Sequence, residues 1–165
     1  MKQRSAKPIR EKPHRLPEEY YIGRYVDFTV STSPRVSILT QENIYPALEE
    51  LLIEAAQYYR CELAIYLFMP DHLHCILASE ASDSDPLSAM KRFKQRSGFW
   101  LRQGRLGFRW QKDFYDHILR REQDLIKHIC YILSNPIRAG LTATWKEYPF
   151  KGSTIYTINE WDKLR

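Results

Sequence analysis

The chain has 165 residues, 44% of them hydrophobic and 27% charged, the composition of one globular domain or one domain with a tail. Fibrous and wholly disordered classes are excluded, and no run approaches the roughly 20 apolar residues a membrane helix needs. The net charge is +5, and its distribution says more than its sum. Residues 1–17 carry six bases (Lys2, Arg4, Lys7, Arg10, Lys12, Arg15) against Glu11. Residues 35–85 hold two basic and nine acidic side chains, and residues 86–127 hold eleven basic and four acidic. Such segregation points to a polyanion-binding face plus a basic arm, although a solvated helix face and a free tail would give the same counts. Aromatic residues reach 13%. Phe93, Phe99, Trp100, Phe108, Trp110, Phe114 and Tyr115 lie within the basic stretch. Rings stack on unpaired bases, so single-stranded nucleic acid is favoured over duplex. Three widely spaced cysteines without a CxxC, and an N-terminus without the apolar core of a secretory signal, predict a reducing cytoplasm.

Residues 1–19, rich in proline and base, read as a flexible arm. Tyr20 to Thr32 reads as a first strand, with Ile22, Val26, Phe28 and Val30 on one side and Arg24 and Asp27 among the turns of phase. Leu48, Leu51, Leu52, Ala55 and Tyr59 recur at helical spacing between about Glu42 and Arg60, with Pro46 in the first turn. Leu63 to Phe68 is almost wholly apolar and reads as a buried central strand. Pro70-Asp71 turns the chain, and His72 to Ala78 returns as its hairpin partner. Asp85 caps a helix with Pro86 at its first position, running to about Gln103. Arg109 to Leu119 is a strand or irregular. Glu122 to Ser134 is helical and is expected to stop at Asn135-Pro136. The order β-α-β-β-α-(β)-α predicts an α+β sandwich, an antiparallel sheet with helices on one face.

His72 and His74 are two apart on a predicted strand, so both imidazoles project from one face while Leu73, Cys75 and Leu77 face the helices. Two neutral imidazoles are half of a divalent-metal site, but the HxH string is weak alone, and a pair of partly exposed strand histidines is its bland reading. Zinc hydrolases of the HxHxDH type need a following Asp-His, and here Cys75-Ile76-Leu77 follows. A third oxygen ligand with open positions would suit Mg²⁺ or Mn²⁺ acting on a phosphate. Further on, Asp124, His128, Tyr131 and Asn135 fall at steps of four, three and four, which puts them on one helical stripe. Read without the histidines, that stripe is better taken as a half-buried tyrosine with Asn135 as a cap before Pro136. Read with them, it acquires a chemistry. Tyr131 attacks a DNA phosphodiester, His72, His74 and the neutral amide of Asn135 hold the metal, and Lys127 one turn earlier helps activate a phenol whose free pKa is ~10. Tyr115, beside Asp116-His117, is the rival nucleophile. Lys91, Arg92, Lys94 and Arg96, within two turns of one helix, are the expected DNA contacts.

Three ordered blocks resemble a known family. Met69-Pro70-Asp71-His72-Leu73-His74-Cys75-Ile76, Trp110 to Arg120, and Tyr131-Ile132-Leu133-Ser134-Asn135-Pro136 with Gly140-Leu141 are similar to the HUH single-strand transposases with one catalytic tyrosine, and among them to the REP-associated tyrosine transposases. Trp145 to Ser153 resembles the family's tail with one serine replaced. The resemblance implies a ferredoxin-like fold. It matches His72 and His74 to a metal pair, Tyr131 to the nucleophile, Asn135 to a third ligand, and His117 to the neighbourhood of the site; His128 is a further candidate for support there. It implies Mg²⁺ or Mn²⁺ as cofactor, single-stranded or hairpin DNA of the repetitive extragenic palindrome type as partner, a monomer or homodimer, and a bacterial cytoplasmic, nucleoid-associated setting. The expected organisation is an arm over 1–19, a catalytic domain over 20–155 and a tail over 156–165. A domesticated module that binds hairpins without cutting them is the alternative.

Overall fold

The structure, a computed structural model, describes residues 20–104 and 106–164; the basic arm expected over 1–19 lies outside the described residues. In chain order the elements are β1 (Tyr25–Ser33), α1 (Tyr45–Tyr58), β2 (Glu62–Met69), β3 (His72–Ala78), α2 (Pro86–Gln103), β4 (Arg109–Trp110), β5 (Tyr115–Leu119), α3 (Glu122–Arg138), a 3-10 turn at Trp145–Glu147, β6 (Lys151–Gly152) and α4 (Ile158–Lys163). The sheet is antiparallel at every pairing: β3 lies between β1 and β2, β6 adds to the outer edge of β2, and β4 and β5 pair with β1. The order β5-β1-β3-β2 is that of the expected ferredoxin-like βαββαβ sandwich.

Strand alternation sorts side chains into two cores. Val26, Phe28, Val30, Leu73, Cys75 and Leu77 pack with Leu48 and Leu52 of α1 and Met90 and Phe93 of α2. On the opposite face Ile65, Leu67 and Ile76 pack with Leu125, Ile129, Ile132 and Leu133 of α3 and with Trp145, Tyr148 and Trp161. Helices on one face is thus correct for α1 and α2, while α3 and α4 cover the other face. The reason is visible in β2, buried at every position after Glu62: a strand apolar on both sides requires cover on both.

Other differences are local. The first strand begins at Tyr25 rather than Tyr20, because residues 21–23 turn with Gly23 at φ +70°, a left-handed conformation that glycine adopts without a Cβ penalty. Ile22 is therefore exposed rather than a strand position. Arg109 to Leu119 resolves into two short strands, β4 and β5. Helix α3 does not stop at Asn135-Pro136 but runs through Pro136 to Arg138. The missing N–H removes one bond, while Ala139 N–H and Leu141 N–H still close on Asn135 O and Pro136 O. The segment 156–165, expected to be a tail, carries α4, whose Trp161 is buried against Trp145.

Candidate active site

The β1–β3 register sets Ser31 opposite His72 and Thr29 opposite His74. His72 Nε2 and His74 Nε2 lie 3.1 Å apart. Their outer nitrogens are tied back: His72 Nδ1 is 2.6 Å from Asp71 Oδ1 and His74 Nδ1 is 3.1 Å from Thr29 Oγ1. Arg35 Nε in turn holds Asp71 Oδ2 at 3.0 Å. When Nδ1–H donates outward, both Nε2 lone pairs face one point, which is how proteins orient metal-binding imidazoles. Two adjacent ligands of an octahedral ion at ~2.1 Å each would be about 3 Å apart, so the pair fits. Burial, with the charges of His72, Arg138 and Arg35, pushes the His74 pKa down to about 4, which leaves it neutral at pH 7, the form that binds a metal. Among the described residues no group of three His, Cys, Asp or Glu side chains could hold a metal ion.

Helix α3 crosses the same sheet face. Its apolar stripe seats it on β2 and β5, which leaves Tyr131 exposed and Asn135 buried. Arg138 connects these residues: its guanidinium carbon sits 4.2 Å over the Tyr131 ring, its Nη2 donates to Asn135 Oδ1, and its charge reaches His74. The Asn135 amide nitrogen is buried with no hydrogen-bond partner among the described residues. Lys127 is exposed one turn before Tyr131. His128 Nδ1 is 2.8 Å from Asp27 Oδ2, and its ring stacks on His117, centroids 5.7 Å apart and planes at 14°. Tyr115 stacks on His117 at 6.5 Å and pairs with Thr29.

The structure does not bring the basic helix residues to this site. Helix α2 covers the opposite sheet face, where Arg92 Nη2 and Arg96 Nη1 bind the two oxygens of Glu54 at 2.9 and 2.7 Å. Arg92 also lies 4.0 Å over the Tyr58 ring. Lys94 Nζ donates to the carbonyls of Gln111 at 2.7 Å and Lys112 at 3.0 Å. Lys91 shares this helix. Apart from His117, basic groups that sequence reasoning did not single out line two open clefts. One, of about 770 Å³, is bordered by Arg24, His117, Arg120 and Arg121; the other, of about 1050 Å³, by Arg102, Arg109 and Lys112. Arg138, Asp27 and Thr29 were also missed, because their partners are distant in sequence or beyond an expected helix stop.

An antiparallel ferredoxin-like sheet with a histidine pair under a tyrosine-bearing helix defines the class: the chain belongs to the IS200-like transposase family, which residues 20–132 match. It is 29% identical over 133 residues to the REP-associated tyrosine transposase of Escherichia coli (strain K12), covering 79% of this chain and 78% of that one. Its fold matches a solved structure of the REP-associated tyrosine transposase bound to a REP hairpin, with a TM-score of 0.71, 25% identity, and coverage of 85% of this chain and 81% of that chain. The family match spans His72, His74 and Tyr131 and ends before Asn135 and Arg138. No helix among the described residues is long and apolar enough to cross a membrane.

Proposed function

We propose that this chain cuts and rejoins single-stranded DNA beside hairpins, with Tyr131 as nucleophile and a covalent 5′-phosphotyrosine as intermediate. The observation that carries the reading is the His72–His74 pair, two Nε2 atoms 3.1 Å apart with both Nδ1 atoms engaged elsewhere. His72, His74 and the Asn135 amide would hold Mg²⁺ or Mn²⁺, which when bound polarises a phosphodiester oxygen as a Lewis acid. Tyr131 is solvent-facing on a helix whose buried stripe fixes its direction, so the phenol is presented in one orientation. Arg138, stacked on that ring and bonded to Asn135, orients both and adds positive charge where a phosphate would sit. As the Tyr131 Oη–P bond forms, the bond from phosphorus to the 3′ oxygen breaks, and the diester energy is kept for rejoining without ATP. The hairpin preference rests on the relatives, one of which was solved with a REP hairpin.

The test is a library of palindrome-bearing single-stranded oligonucleotides incubated with Mg²⁺ or Mn²⁺, followed by isolation of covalent adducts. His72→Ala and His74→Ala should lose the adduct and keep hairpin binding. Mass spectrometry of the digested adduct should locate the nucleotide on the peptide between Lys127 and Arg138. Hairpin binding with no adduct under any metal would leave the non-catalytic module standing. An adduct on Tyr115 would reassign the nucleophile.

A further inference from the structure

Asp27 is a carboxylate buried in the middle of β1, 8% exposed, and nothing in the reading above uses it. Its Oδ1 is buried with no hydrogen-bond partner among the described residues, and its Oδ2 holds His128 Nδ1 at 2.8 Å. A buried, half-satisfied carboxylate costs stability, so its position calls for a use. Strand geometry supplies one. Asp27 and Thr29 are successive same-face positions on β1, about 7 Å apart. Thr29 holds His74, so the group Asp27 holds stands one strand step from the histidine pair. On α3, His128 precedes Tyr131 by three residues, the spacing at which helical side chains are neighbours. The Tyr131 ring is exposed on the same stripe, with the Arg138 guanidinium carbon 4.2 Å from it. His117, opposite Asp27 on β5, closes the other side of the imidazole with a parallel ring.

We propose that His128, held by Asp27 and braced by His117, takes the phenolic proton of Tyr131 during strand cleavage and returns it during rejoining. This rests on Tyr131 being the nucleophile. The carboxylate accepts from Nδ1–H of His128 and so fixes the tautomer that leaves Nε2 with its lone pair outward, the arrangement an activating base requires. In cleavage Tyr131 Oη bonds to phosphorus, the phenol proton passes to His128 Nε2 directly or through one water, and the P–O3′ bond breaks. The departing 3′ oxygen gains a proton from the imidazolium or through solvent, so one proton is lost by the phenol and one gained by the new 3′ hydroxyl. Rejoining runs the same transfers backward. Asp27 and His117 are positioning residues. The titratable groups around His128 are Asp27 on β1, His117 and Tyr115 on β5, His74 one strand step away on β3, and Asp124, Lys127 and Tyr131 on its own helix.

The experiment is single-turnover adduct formation by the full chain on a hairpin oligonucleotide with Mn²⁺, from neutral to alkaline pH. His128→Gln should lower the rate by about 10²–10⁴-fold at neutral pH and make it climb more steeply with pH than the wild-type rate. Mn²⁺ affinity and the thermal midpoint should stay at wild-type values, and added imidazole should restore rate to His128→Ala. A rate within about threefold of wild type and an unchanged pH profile would overturn the proposal, as would a loss that tracks weaker Mn²⁺ binding. Independently of DNA, ¹⁵N-histidine spectra should show His128 as the Nδ1–H tautomer in the wild type and a mixture in Asp27→Asn; an Nε2–H tautomer in the wild type would also overturn it. Adduct formation by Tyr131→Phe would instead sink the nucleophile assignment, whatever His128 does.

Discussion

At the scale of single residues, the site was legible where chemistry follows a short period. His72 and His74 share a face because strands alternate every two residues, and Tyr131 and Asn135 share a stripe because four residues are one helical turn. Arg138 was not legible. It lies seven residues beyond Tyr131, two turns of the same stripe, but beyond a proline that reads as a stop. Its guanidinium stacks on the Tyr131 ring and bonds Asn135 Oδ1, so Arg138→Ala should release both. Adduct formation is expected to fall by about 10–10²-fold, the order that a small misplacement of a reacting group produces, with hairpin binding weakened much less. Arg138→Lys should not restore it, because an ammonium lacks the planar fork that stacks and donates at once. Wild-type rates in Arg138→Ala, read by denaturing gel of the trapped adduct, would show that the clasp has no part in placing Tyr131. Tyr131→Phe should remove the adduct altogether while changing stability by no more than about 0.5–1.5 kcal/mol, and Tyr115→Phe should keep it.

At the scale of elements, β3, the α2 cap at Asp85 and the α1 proline were readable from local signals. The surroundings of α2 were not, because a charge run does not reveal its partners. Glu54, which lies 38 residues from Arg92, takes both arginines. With those two cations already opposite a carboxylate, the double variant Arg92→Ala/Arg96→Ala should leave the log–log salt slope of hairpin binding nearly unchanged. Phosphate contacts would reduce it by about one for each cation lost, so a fall of about two would put α2 in the DNA interface. The β6 edge shows the opposite case, a residue type explained only by packing. A Cβ on Gly152 would run into the Tyr66 ring, where β6 pairs with β2. Gly152→Ala should therefore destabilise by about 1–3 kcal/mol, the range of overpacking, measurable as a lower denaturation midpoint with an unchanged slope.

At the scale of the whole molecule, one sheet separates two cores with different duties. The α1–α2 core supports the back of the sheet. The α3 core supports the helix that carries His128, Tyr131 and Asn135, and it is completed by residues far along the chain: Trp145, Tyr148 and Trp161. The alternation of helices and strands showed that one sheet face would be covered. It could not show that α4 closes the second core, because Trp161 is a single large ring in a short, polar helix. That ring is 1% exposed and meets Trp145 edge-on at 6.2 Å, and Cys130 Sγ on α3 lies 3.8 Å from the Leu164 carbonyl. Trp161→Ala should cost about 3–5 kcal/mol, as large-to-small changes of a buried tryptophan do. The loss should be uneven, because the His72–His74 pair sits on β3 while the tyrosine sits on α3. Backbone amides of α3 should exchange with solvent markedly faster, those of α1 and α2 little changed, and adduct formation should drop more than Mn²⁺ affinity. Trp161→Phe keeps most of the ring and removes an indole N–H that has no acceptor among the described residues, so it should recover much of the stability and the α3 protection. Uniformly faster exchange across both cores in Trp161→Ala, or a metal affinity that falls in step with cleavage, would mean that the cores act as one unit and that the C-terminal helix is not a specific support for α3.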